Sequence, residues 1–118
     1  GIRLVWTSAM RLHTEAAIHL RSRDRVLMQQ AREHFADCMQ AAYLVIDDLG
    51  NNEWCPAFES QLFAILDHRK NHRLPVLWSS NANPEQFHLN ITSVNPAALI
   101  GRLLDGTNTL DFTDRELL

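Results

Sequence analysis

Leu44-Val45-Ile46-Asp47-Asp48-Leu49-Gly50 is an apolar run that stops abruptly at two carboxylates. With Tyr43 ahead of it, Tyr43 to Ile46 reads as a short strand buried in a sheet and ending at a polar edge. Successive residues leaving a strand point in different directions. Two adjacent acids can therefore take different tasks, one holding hydrated Mg²⁺ while its neighbour orients a water. In open α/β sheets ligands bind beyond the carboxyl ends of the strands, so the tips are the first place to look for chemistry.

Working outward, Ile2 to Thr7 is β-branched or aromatic and bounded by Ser8, which predicts an opening strand. Ser8 can cap a helix from Ala9 to about Leu20. Asp24 can cap a second helix, with Leu27, Ala31, Phe35 and Met39 on one face. Downstream, Pro56 suits a first helical turn, and Phe58, Leu62, Ile65 and Leu66 form an apolar stripe through roughly Arg69, with His68 to Arg73 as a polar exit.

Pro75 to Trp78 repeats the central design: an apolar strand, then a polar tip at Ser79, Ser80 and Asn81. Asn83-Pro84 with Gln86, and Asn95-Pro96, predict two short helix starts, and Leu110 to Phe112 a last strand. Strands alternating with helices imply an α/β fold with a parallel sheet. No internal repeat or linker divides the chain, so residues 1–118 are read as a single domain.

The bulk properties agree. A chain of 118 residues, 46% hydrophobic and 21% charged, suits one globular core. A formal charge of −3 argues against affinity built on blanket phosphate neutralisation, so nucleic acid contact would have to be local. Cys38 and Cys55 lack the spacing of a disulfide scaffold or metal site and are read as reduced and structural. No apolar run could span a membrane and no secretory leader is visible, so the cytoplasm is the expected compartment. Gly1, with no start methionine, leads straight into a strand, which suggests a cut inside a larger protein.

Leu44 to Gly50 resembles the Walker B segment of the AAA+ helicase loaders DnaC and DnaI and the transposition helper IstB. Phe63, Ile65, Leu66 and Arg69 resemble that family's helix with a terminal arginine, and Leu74, Pro75, Ser79, Ser80 and Asn81 its following strand. Ile100, Gly101, Arg102 and Leu103 resemble its late arginine-containing helix. The resemblance spans roughly Ile2 to Phe112 and implies a partial AAA+ (P-loop NTPase) core, a parallel sheet flanked by helices. By the same resemblance Asp47 would associate with Mg²⁺ through water, Asp48 would polarise the attacking water, and Asn81 would be the sensor-one amide. Asp47, Asp48 and Asn81 would together face bound ATP. Arg102 would be the arginine finger that completes a neighbouring subunit's site, making hydrolysis depend on a homo-oligomer. The implied partners are a replicative helicase or a transposase, with single-stranded DNA as a further contact.

The sequence contains no Gly-x-x-x-x-Gly-Lys-Ser/Thr segment, so the backbone cradle and lysine for the phosphates are missing. In the family that loop lies upstream of the strand opening this chain, so truncation is the expected reason, and the chain alone is expected to be inactive. The alternative is a non-catalytic interaction module on a degenerate AAA+ scaffold. A phosphoacceptor domain is a third reading, but the sole lysine, Lys70, sits at a helix exit and not at a strand tip.

Other residues have competing readings. Arg102 and Arg69 can each neutralise a helix C-terminus, and Arg69 can add to a subunit contact. Arg21, Arg23 and Arg25 can touch DNA phosphates or simply line a solvated turn. His13, His19, His34, His68, His72 and His88 show no compact ligand spacing and default to the surface or a polar edge. Trp6 and Trp78 are expected in the core, leaving Trp54 with either a contact role or a hydrophobic staple.

Overall fold

The computed structural model describes residues 3–49, 54–80 and 101–103. In chain order they form β1 (Leu4–Ser8), α1 (Ala9–Arg21), α2 (Arg25–Gln40), β2 (Tyr43–Asp47), α3 (Pro56–Asn71) and β3 (Val76–Trp78). The expected helix starts at Asn83 and Asn95 and the strand at Leu110 lie outside the described residues.

The strands form a parallel sheet in the order β1-β2-β3. Because the strands step across the sheet in one direction, right-handed crossovers place every connecting helix on the same face. All three helices pack there: Leu12 and Ala16 of α1, Cys38 of α2, Leu44 and Ile46 of β2, and Phe58, Leu62 and Ile65 of α3 share one buried cluster. The fold is therefore α/β, a parallel sheet flanked by helices, as expected.

Local chemistry sets the element ends. The Ser8 hydroxyl accepts the Arg11 N–H at 3.1 Å and starts α1. Asp24 Oδ1 accepts the N–H groups of Val26 and Leu27 at 2.9 and 3.2 Å and starts α2. Pro56 occupies the first turn of α3, where its missing N–H costs nothing.

The sheet's two faces differ. Val5, Thr7, Leu44, Ile46, Val76 and Trp78 point toward the helices. Leu4, Trp6 and Leu77 point the other way and are 57%, 64% and 67% exposed. Trp6 is thus not a core residue, contrary to the sequence expectation; Thr7 beside it is buried instead, because strand alternation gives the helix-covered face to the odd-numbered positions of β1. Leu27 is also exposed, at 42%. The rest of the expected α2 stripe does face the core, with Ala31 buried and Phe35 and Met39 half-buried against it, and His34 and Cys38 are buried beside them.

Candidate functional site

The parallel register places Ser8 beside Asp47 and Ile46 beside Trp78, so Ser8, Asp47 and Ser79 form a polar row across the exit end of the sheet. Asp47 and Ser79 lie on the face that also carries Trp6, Val45 and Leu77. The Ser79 hydroxyl donates to Asp47 Oδ1 and accepts the Asp48 N–H at 3.2 Å. The Ser79 N–H donates to the Ile46 carbonyl at 3.0 Å, and the Ser79 carbonyl accepts the Leu49 N–H at 2.8 Å.

Asp48 has φ 58°, in the left-handed region that L-residues avoid and that aspartate tolerates better than most. This turn ends the strand and breaks its alternation. Asp48 is exposed, and its carboxylate makes no hydrogen bond or ion pair among the described residues, whereas the Asp47 carboxylate is half-buried and engaged through Oδ1. Trp54 anchors the turn from beneath: it is 2% exposed, its Nε1 donates to the Leu49 carbonyl at 3.0 Å, and it packs edge-on against Phe58. Trp54 is therefore a core residue supporting the turn, and not a surface contact.

Among the described residues no three His, Cys, Asp or Glu side chains gather into a cation cage. That composition still fits Mg²⁺, which usually keeps several waters and takes one or two carboxylates plus substrate phosphates. Asp47 Oδ2 and the open Asp48 carboxylate are the groups available for it. Bound there, the ion would offset phosphate charge.

Asn81, the expected sensor amide, lies outside the described residues. Arg102 is described, and it is held within the chain: its Nη2 pairs with Asp67 Oδ1 at 3.0 Å and its guanidinium lies 5.8 Å from the Phe63 ring centroid. The neighbouring Leu103 carbonyl accepts the Trp78 indole N–H at 3.1 Å, fixing this segment against β3.

Arg69 serves neither its own helix end nor a subunit contact. It is fully buried, and its Nη1 donates to the carbonyls of Cys38 and Ala41 at 3.0 and 2.6 Å. Its Nη2 donates to the carbonyls of Ala42 and Pro75 at 3.4 and 2.7 Å. It thus caps the C-terminus of α2 and ties together the entries to β2 and β3. Burial lowers its pKa from the ordinary guanidinium value, with the nearby Cys38 acting in the opposite direction.

His34 also departs from expectation, being 6% exposed. Its Nδ1 meets Glu15 Oε2 at 2.6 Å, and its Nε2 lies 3.6 Å from Cys38 Sγ. Cysteine, histidine and carboxylate in sequence look like a nucleophile with its base, yet the thiol is fully buried and burial, aided by Glu15, pushes its pKa up to about 12. A thiol held neutral in this way is inert, so the cluster joins α1 to α2. Cys38 and Cys55 are both free, as expected. Arg21, Arg23 and Arg25 are all exposed. No described helix is long and apolar enough to cross a membrane.

No family model matches the sequence. No curated protein matches it. A solved structure described as the crystal structure of a DNA replication initiation factor is similar in fold, with a TM-score of 0.60 and 15% sequence identity over 86% of this chain. This chain spans only 29% of that structure's length. At such identity the likeness concerns the fold alone.

Proposed function

We propose that this chain carries the Mg²⁺-associated and water-orienting acids of an AAA+-type ATPase whose phosphate-binding loop is supplied by polypeptide outside these 118 residues. The observation that carries the reading is the exit-end row: Asp47 engaged by Ser79, and Asp48 turned outward beside it with an open carboxylate. Asp47 holds hydrated Mg²⁺, Asp48 orients the water that attacks the terminal phosphate, and Asn81 senses that phosphate. Arg102 exchanges its Asp67 partner for the ATP of a neighbouring copy, so turnover requires a homo-oligomer. The whole protein works on DNA-associated machinery, loading a replicative helicase or assisting a transposase, with Arg21, Arg23 and Arg25 available to single-stranded DNA. The likeness to a replication initiation factor supports this direction.

The competing reading, an interaction module without catalysis, is favoured by the missing phosphate loop and by the exposed apolar face at Leu4, Trp6 and Leu77. ATP turnover by the intact reading frame separates the two. Asp48→Asn or Arg102→Ala is expected to lower that turnover by about 10²-fold or more. Turnover unchanged by either substitution removes the role assigned to that residue.

A further inference from the structure

Ser79 meets the Asp47-Asp48 turn through its N–H, its carbonyl and its hydroxyl. The two backbone bonds, to the Ile46 carbonyl and from the Leu49 N–H, continue the β2–β3 pairing and would form with any residue but proline at this position. The two hydroxyl bonds require an oxygen on Cβ, which only serine or threonine supplies. One accepts the N–H of Asp48, the residue in the left-handed conformation. The other donates to Asp47 Oδ1 and leaves Oδ2 without a partner among the described residues. A single hydroxyl therefore restrains both acids at once.

We infer that Ser79 is a positioning residue for the acid pair: its hydroxyl orients the Asp47 carboxylate so that Oδ2 faces outward, and it holds the left-handed turn that directs Asp48 away from Asp47. The inference rests on the reading of Asp47 and Asp48 as the acids of an ATP site. The hydroxyl donates a hydrogen bond to a carboxylate oxygen, an acceptor type that binds such a donor more strongly than a neutral oxygen does. The left-handed backbone is disfavoured for an L-residue, so the Asp48 N–H bond to Ser79 matters to its population.

The test compares Ser79→Ala and Ser79→Thr with the wild type in the intact protein, using two readouts. The first, without nucleotide, is amide hydrogen exchange resolved at Asp48 and Leu49. Ser79→Ala is expected to speed exchange at Asp48 about tenfold while Leu49, whose acceptor is the Ser79 carbonyl, stays at the wild-type rate. Ser79→Thr restores Asp48 protection. The second readout is steady-state ATP turnover: Ser79→Ala lowers kcat about 10- to 100-fold with little change in KM, and Ser79→Thr recovers it.

Wild-type exchange at Asp48 in Ser79→Ala overturns the inference, as does equal acceleration at Asp48 and Leu49, which marks general loosening of the tip. Wild-type kcat in Ser79→Ala, where Asp48→Asn is inactive, overturns it while leaving the ATP-site reading intact. If the wild-type protein turns over no ATP, the ATP-site reading fails by itself, and the exchange comparison still decides whether Ser79 holds the turn.

Discussion

The entry and exit ends of the same three strands hold charge in opposite ways. At the entry, Arg69 is fully buried and spreads two nitrogens over four carbonyls, with Nε alone of its nitrogens lacking a partner among the described residues. At the exit, Asp48 is exposed and its carboxylate meets no cation among the described residues. A charge removed from water persists only where its donors are answered, and there it shapes the fold. An acid left open at a strand tip remains available to a ligand.

The largest expected effect that would break this contrast is at the entry end. Arg69→Met removes the cation and leaves the carbonyls of Cys38, Ala41, Ala42 and Pro75 without it, and should cost about 3–5 kcal/mol in urea unfolding. A loss under about 1 kcal/mol would show that water or other donors replace the guanidinium. Asp48→Asn, at the exit, should leave stability within about 0.5 kcal/mol of wild type.

A smaller effect should appear at alkaline pH. The Cys38 thiol is raised from the ordinary 9.0 to about 12, so above pH 9 the unfolded chain loses this proton while the folded chain keeps it. The contribution is fully present below pH 9 and is lost as pH rises toward 12. By pH 10 it amounts to a loss of about 1.4 kcal/mol. Cys38→Ala should remove this component from the pH dependence of unfolding, and an unchanged alkaline slope would contradict it.

The smallest effect concerns Thr7 of β1, whose buried Oγ1 has no hydrogen-bond partner among the described residues. Thr7→Val keeps the shape and removes the unanswered hydroxyl, so unfolding should show stability unchanged or raised by about 1 kcal/mol. A loss above about 1 kcal/mol would mean that the hydroxyl has a partner in solution.

The elements were legible where the signal is local. Ser8 and Asp24 cap the helices as their types imply, Pro56 opens α3, and the apolar runs around Val45 and Leu77 are strands. The side chains that escaped sequence reasoning depend on partners far along the chain. Arg69 is buried because carbonyls 27 to 31 residues earlier are folded against it, and His34 because Glu15, 19 residues away, answers its ring. Trp6 was misread because a strand with apolar residues on both faces does not say which face the helices cover.

The same division runs through the candidate site. Asp47 and Asp48 stand out in sequence as the abrupt end of an apolar run, and Ser79 as a polar tip. The bond between Ser79 and Asp47 required the parallel register, which no local pattern fixes. The left-handed turn at Asp48 likewise carries no glycine to announce it.

The most direct test of the central claim is ATP turnover by the intact reading frame beside its Asp48→Asn variant, with urea unfolding of both as the control. The account predicts Mg²⁺-dependent hydrolysis by the wild type, a loss of about 10²-fold or more in the variant, and matching stabilities. Equal turnover by the two proteins, or none by the wild type, would contradict it.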